Sequence, residues 1–124
     1  MKTLVLSPLL LLAVASGAAA AETPTFSGQW KVHNSIAGNE SDQDCTFAQK
    51  GDAFSGDCKS DQSTVSVTGK IEDKKVSWQY VTDYNGESLT IMYSAPLPVD
   101  GKVAGDVLVK EMDIAGDFTA TQAK

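Results

Sequence analysis

The stretch Phe26-Ser27-Gly28-Gln29-Trp30 decides the fold, because its pattern returns four more times along the chain. Each copy reads apolar, small or polar, glycine, polar, apolar. The other copies are Phe54-Ser55-Gly56-Asp57-Cys58, Val67-Thr68-Gly69-Lys70-Ile71, Val103-Ala104-Gly105-Asp106-Val107 and Ile114-Ala115-Gly116-Asp117-Phe118. Apolar residues at every second position predict β-strands with one apolar face and one polar face. A glycine on the apolar face is typical of a tight bend or of a place where something large fits opposite.

Turn signals divide the chain after Phe26 into eight strands joined by hairpins, and Asn85-Gly86 is the strongest of these signals. We expect a three-residue loop at Val99–Gly101 and a longer polar loop at Ser35–Asp44. The same alternation continues through every turn. It places large rings opposite glycines in the pairs Phe47/Gly56, Trp78/Gly69 and Phe118/Gly105, and it sets Val67 opposite Tyr80. The sequence therefore predicts an all-β fold, an eight-stranded antiparallel up-and-down barrel, with an open sandwich as the alternative.

The two cysteines are predicted to form one disulfide across a hairpin. With a two-residue turn at Gly51-Asp52, counting outward sets Cys45 opposite Cys58 in a non-hydrogen-bonded pair, the closer kind in an antiparallel ladder. That spacing suits a cross-strand bridge. Both cysteines lie on the apolar face, which favours a structural disulfide over a redox or metal-binding thiol pair.

The first residues have the pattern of a secretory signal: Lys2, a short apolar segment and a run of small residues that ends at Ala21. We therefore expect a signal peptide at 1–21, a single barrel domain at 22–124, and export to a bacterial periplasm or the medium. The chain has a net charge of −6, and all ten basic residues are Lys. This composition disfavours nucleic acid as a partner. The apolar segments are too short to predict a membrane span.

Several short motifs resemble those of a known superfamily. Gly28-Gln29-Trp30 resembles the Gly-x-Trp signature of lipocalins, and Ser27-Gly28-Gln29-Trp30 is similar to the opening strand of avidins. With Gln49-Lys50-Gly51 and the closing Gly116-Asp117-Phe118-Thr119-Ala120, the chain resembles small exported bacterial lipocalin-like domains of the calycin type. The resemblance implies a β-barrel. A full set of the tryptophans that line the avidin biotin pocket is not matched, so biotin binding is not implied.

Chain direction places the Ser35–Asp44 loop at one end of the barrel, which we take as the mouth. Residues on the inner face near this end are mostly apolar with a few polar tips, as in many small-molecule sites. The predicted ligand contacts are Asn34, Val67, Tyr80, Thr82, Leu89 and Ile91, with Trp30 and Trp78 deeper as the floor. The alternative is that the same side chains simply fill the core.

These patterns lead to one favoured function and two alternatives. We favour an exported binding protein that holds a small apolar or amphipathic ligand in the open end of the barrel. The first alternative is a non-catalytic interaction module with a packed core, which works through its surface. The second is a cofactor-free isomerase or lyase acting on a hydrophobic substrate, with Tyr80 as proton donor or acceptor and His33 as helper. We expect no cofactor and no metal.

Two surface features also have functional interpretations. The acidic residues Glu40, Asp42 and Asp44 supply oxygen ligands for a divalent cation, but their spacing does not match a calcium-binding loop and is more typical of a solvated loop. Met92 and Leu108 should face each other on the outer surface, close to Val81, which suggests weak self-association. Scattered apolar surface residues are also ordinary.

Overall fold

The computed structural model describes residues 26–123, and within them eight strands form a closed antiparallel barrel. The predicted signal peptide at 1–21 lies outside the described residues. The strands are β1 (Gly28–Ile36), β2 (Asn39–Lys50), β3 (Ala53–Lys59), β4 (Thr64–Glu72), β5 (Lys75–Tyr84), β6 (Glu87–Pro96), β7 (Lys102–Val109) and β8 (Ile114–Gln122). Each strand pairs with the next, and β8 pairs with β1, so the predicted up-and-down barrel is confirmed.

The register of the hairpins agrees with the alternation in the sequence at most turns. Cys45 pairs with Cys58 and the two form a disulfide, as predicted. The β5–β6 ladder runs outward from the Asn85-Gly86 turn. The β7–β8 ladder sets Gly105 opposite Phe118 across a short 3-10 turn. One assignment of inner and outer faces therefore holds around the barrel.

The predicted loop at Ser35–Asp44 is wrong. Ala37 and Gly38 both have positive φ and make a two-residue turn, and β2 begins at Asn39. In the resulting ladder Ser35 pairs with Glu40 and Lys31 pairs with Asp44. The beginning of β2 is polar on both faces, because its inner side chains face a polar part of the lumen. Such a strand lacks the alternation that identifies strands.

Two smaller expectations also need correction. The β6–β7 connection covers residues 97–101 and ends in a two-residue turn, in which Asp100 and Gly101 both have positive φ, between the bridged residues Val99 and Lys102. Val67 and Tyr80 are not partners: the β4–β5 ladder stops at Thr68–Gln79, although both strands continue beyond that pair. The barrel wall therefore opens between β4 and β5 near one end.

A cluster of aromatic rings closes the opposite end of the barrel. Phe26, which precedes β1, is fully buried and stacks on Trp30 with 4.3 Å between ring centroids. The Trp30 Nε1–H donates to the Phe26 carbonyl oxygen at 3.1 Å. Phe26 also contacts the rings of Phe47, Phe54 and Trp78. Burial of these large apolar surfaces is the main stabilising contribution to so small a domain.

The glycine–ring pairs have the predicted register, but the space beside each glycine is filled differently. Gly69 pairs with Trp78, yet the ring of Phe54 on the other neighbouring strand is what occupies the place of its missing side chain. At Gly56 the place is taken by backbone of β2, and at Gly105 by backbone of β6 together with the Ala95 side chain. These glycines permit the close strand approach and strong coiling that a narrow barrel requires.

Candidate functional site

A cavity of about 800 Å³ lies at the end of the barrel opposite the aromatic cluster. Its lumen side is lined by side chains of β1, β2, β4, β5 and β6. These are Asn34, Ile36, Ser41, Gln43, Val65, Tyr80, Thr82 and Ile91. Its rim is lined by Lys31, Glu40, Asp42 and Asp44 and by the segment Lys59-Ser60-Asp61-Gln62-Ser63. The cavity therefore combines an uncharged interior with a charged rim.

The cavity exists because the β1–β2 and β5–β6 hairpins extend further along the barrel than β3 and β4, which lie between them. The β2–β3 ladder stops at the pair Asp44–Lys59, while β2 itself begins five residues earlier at Asn39. On the other side, β5 continues to Tyr84 past the last pair that it makes with β4. The short β3–β4 connection thus forms the lowest part of the barrel rim. The cavity opens to solvent over this connection, between the two longer hairpins.

Four side chains form a hydrogen-bonded polar layer across the lumen: Asn34, Gln43, Tyr80 and Tyr93. The Tyr93 hydroxyl donates to Asn34 Oδ1 at 2.8 Å, joining β6 to β1. The Gln43 Nε2–H donates to the Tyr80 hydroxyl oxygen at 3.3 Å, joining β2 to β5. The Asn34 Nδ2–H contacts Gln43 Oε1 at 3.4 Å and so links the two pairs. The polar layer fixes the positions of strands that are not neighbours in the wall.

Two members of the polar layer are carboxamides, which carry no charge, and burial keeps the Tyr93 phenol neutral as well. Asn34 is only 3% exposed, and Tyr93 is buried as well. Burial raises the pKa of the Tyr93 phenol far above its usual range, and the neighbouring Tyr80 raises it further. Tyr93 therefore stays protonated at every physiological pH and remains a donor to Asn34.

The polar layer separates the cavity from the aromatic core. Tyr93 is buried, and its ring stacks on Trp78 with 4.9 Å between ring centroids. Phe118 packs edge-on against both rings. One face of Tyr93 thus belongs to the apolar core, while its hydroxyl belongs to the polar layer. The bottom of the cavity is consequently polar, and the core beneath it is filled by packed rings.

The structure divides the eight predicted ligand contacts into two groups. Asn34, Tyr80, Thr82 and Ile91 line the cavity together. The other four are buried and are not among the residues that line it; they are Trp30, Val67, Trp78 and Leu89. A role in ligand binding stays a prediction for all eight residues.

Sequence reasoning missed Gln43, which contacts three members of the site. Its side chain meets Asn34, Tyr80 and Tyr93, the last at 3.5 Å. Gln43 lies within the predicted Ser35–Asp44 loop, where the alternation assigns no face to a residue. The signal that identifies it is the pair Gln43–Val32, which places Gln43 on the inner face once β2 is extended.

On the outer face of the same hairpin, His33 lies between two carboxylates. Its Nδ1 is 2.7 Å from Asp42 Oδ1, and its Nε2 is 2.8 Å from Glu40 Oε1. These two hydrogen bonds raise the pKa of His33, with Asp42 making the larger contribution. His33 and Tyr80 occupy opposite faces of the wall, because the Tyr80 hydroxyl lies in the lumen. The alternative function needs His33 to assist Tyr80 as an acid or base. Their positions on opposite faces give that alternative no support.

The acidic residues of β2 are engaged with basic partners along the strand. Asp44 accepts a hydrogen bond from the Lys31 ammonium at 3.0 Å, and Glu40 and Asp42 hold His33. Among residues 26–123, no group of three or more His, Cys, Asp or Glu side chains has an arrangement that could hold a metal ion. The structure over the same residues contains no helix with the length and apolar character needed to cross a bilayer.

The apolar residues predicted to face each other on the outer surface do so. Met92 pairs with Leu108 across β6 and β7. Val81 is 58% exposed, and Met92 is also exposed. Next to this area, Glu111 accepts hydrogen bonds from the Thr90 backbone N–H and hydroxyl, which lowers the pKa of that carboxyl. Self-association through this surface stays a prediction.

Comparison of the chain with protein-family models gives no match, and comparison with curated proteins gives none either.

Proposed function

We propose that the protein is an exported binding protein that holds a small amphipathic molecule in the cavity at the open end of its barrel. An eight-stranded barrel is large enough to enclose one small ligand when packed side chains do not fill it completely. Here the rings fill only the closed end, and a cavity of about 800 Å³ remains at the other. That volume, which includes the solvent-open space at the rim, lies in the range of small-molecule sites.

The observation that carries the proposal is the polar layer at the bottom of this cavity. A buried carboxamide such as that of Asn34 is costly unless it is hydrogen-bonded, and here its oxygen is held by the Tyr93 hydroxyl. A core that served only for packing would be better filled by apolar side chains. A few fixed polar groups beside apolar side walls, made by Ile36, Val65 and Ile91, are typical of a ligand site.

Export is supported by the disulfide and by the signal-like pattern of residues 1–21. The Cys45–Cys58 bridge suits an oxidising compartment, because cytosolic thiols are kept reduced. The closed up-and-down barrel is consistent with a lipocalin-like relationship, which we include in the proposal on the strength of the Gly28-Gln29-Trp30 motif and the topology.

Binding of the neutral probe N-phenyl-1-naphthylamine tests this proposal. Its fluorescence should rise on mixing with the protein and should stay low with Thr82→Trp, because the added indole fills the cavity. Val81→Trp is the matched control, since residue 81 precedes residue 82 on β5 but is exposed on the outer face. Equal probe fluorescence with both variants, or none with the unmodified protein, would reject the cavity as the binding site.

The alternative of a packed interaction module makes the opposite prediction. Such a protein would not increase the fluorescence of the probe. Val81→Trp would instead change its binding to a partner in a pull-down assay, or its self-association. The exposed apolar residues Val81 and Met92 are the observation that favours this alternative.

A further inference from the structure

The distribution of charge around the cavity narrows the class of ligand, an inference that rests on the proposed function. Four carboxylates and two ammonium groups line the rim. The carboxylates belong to Glu40, Asp42, Asp44 and Asp61, and the ammonium groups to Lys31 and Lys59. Both lysines are exposed, and Lys31 is paired with Asp44. His33, which hydrogen-bonds to Glu40 and Asp42, adds at most one further positive charge. The carboxylates still outnumber the cations, so the rim is net acidic and disfavours an approaching anion.

The interior offers a charged group no compensating partner. The polar layer consists of two carboxamides and two phenols, and the side walls are apolar apart from the hydroxyls of Ser41 and Thr82. Burying a charge costs far more than burying a neutral polar group unless an opposite charge meets it. An ammonium head group would be attracted by the acidic rim, but inside the cavity it too would find no oppositely charged side chain.

The polar layer can nevertheless serve a neutral group that both donates and accepts hydrogen bonds. Asn34 Nδ2 makes only long contacts, 3.4 Å to Ser41 Oγ and 3.4 Å to Gln43 Oε1. Gln43 Oε1 in turn receives only that contact and a 3.5 Å one from the Tyr93 hydroxyl. A donor and an acceptor, each held loosely, thus lie side by side beneath the cavity, and a ligand can improve both hydrogen bonds.

We infer that the site selects an uncharged amphiphile with a carboxamide or hydroxyl head group, that this head group docks between Asn34 and Gln43, and that the corresponding carboxylate is rejected. The apolar part of the ligand then lies along Ile36, Val65 and Ile91, towards the open side of the mouth.

Displacement of N-phenyl-1-naphthylamine by octanamide, octylamine and octanoate tests the inference, because the three compounds share a chain and differ in head-group charge. At pH 7.5 octanamide should bind at least roughly tenfold more tightly than octanoate, and more tightly than octylamine. Octanoate binding as well as octanamide would overturn the inference and leave the proposed function standing. Tightest binding by octylamine would also overturn the inference, since the charge of the rim alone would then determine which head group is preferred. Failure of the naphthylamine itself to bind would reject the proposed function and this inference with it.

A pair of variants checks where the head group lies. Gln43→Glu places a carboxylate in the polar layer and should shift the preference from octanamide to octylamine. Gln79→Glu makes the same change on the exposed outer face of β5 and should leave the order unchanged. An unchanged order in Gln43→Glu that retains its near-ultraviolet circular dichroism would place the head group elsewhere. The comparison of the three compounds on the unmodified protein stands whether or not this variant folds.

Discussion

Tyr93 and Asn34 face each other across the barrel from β6 and β1, and the Tyr93 hydroxyl donates to Asn34 Oδ1 at 2.8 Å. The two strands are not neighbours in the wall, so the hydrogen bond joins opposite sides of the lumen. It lies where the aromatic core ends and the cavity begins. The packing of Trp78 against the Tyr93 ring therefore positions a polar group of the site.

Removal of the Tyr93 hydroxyl should destabilise the protein. Tyr93→Phe keeps the ring stack but leaves the Asn34 oxygen buried without its short hydrogen bond, which costs about 1–3 kcal/mol of unfolding free energy. Urea unfolding measures this loss. Tyr84→Phe is the control, because Tyr84 is 59% exposed and its change should stay within about 0.5 kcal/mol. Equal effects from the two variants would show that the polar layer contributes nothing to stability.

The sequence predicts the barrel well because its alternation is consistent from turn to turn. The Gly51-Asp52 turn alone sets Cys45 opposite Cys58, and the disulfide confirms that register. Residues such as Trp30 and Phe47 are buried in the core as their positions in the pattern require.

The site is harder to predict, because in this part of the chain the alternation of apolar and polar residues does not distinguish the inner face from the outer face. The first half of β2 carries polar side chains on both faces, so Gln43 looks like a loop residue until its partner Val32 is known. The opening between β4 and β5 is also invisible in the sequence: the apolar pattern continues along both strands after the ladder stops at Thr68–Gln79. The cavity depends on both features.

Loss of the Cys45–Cys58 disulfide should lower stability by about 3 kcal/mol, the value expected for a loop of roughly 15 residues. The bridge spans 13 residues of sequence. Urea unfolding with and without dithiothreitol measures the loss, and the double variant Cys45→Ala/Cys58→Ala should match the reduced protein and be insensitive to the reductant. Unchanged stability on reduction would mean that the hairpin is equally well fixed by its other contacts.

Addition of one methyl group at Gly69 should be costly. A side-chain carbon there would collide with the Phe54 ring and with the Ser77 carbonyl oxygen. We expect Gly69→Ala to cost about 1–3 kcal/mol in urea unfolding, as overpacking of a core does. Phe54→Leu makes room on one side, so the double variant should lose less stability than the sum of the two single variants. Additive losses would assign the effect to the backbone contact alone.

Titration of His33 should be displaced to higher pH by its two carboxylate partners. The chemical shift of its ring protons, followed by NMR, should report a pKa above the ordinary 6.5, because the hydrogen bonds to Asp42 and Glu40 favour the protonated ring. The raised pKa means that this contribution to stability is fully present below pH 6.5. It is lost as the pH rises through the folded-state pKa.

Variants of Asp42 and Asp44 show whether the higher pKa of His33 comes from a direct hydrogen bond or from the general negative charge nearby. Asp42→Asn should lower the pKa of His33 towards 6.5, and by more than Glu40→Gln does, because Asp42 makes the larger contribution. Asp44→Asn is the matched control: it removes a carboxylate from the same face of β2, but one that is paired with Lys31 rather than with His33. Equal displacement by the two substitutions would mean that the general negative charge of the rim sets the titration of His33. A larger effect of Asp42→Asn would instead assign it to the direct hydrogen bond, which holds the two strands beside Asn34 together on their outer face.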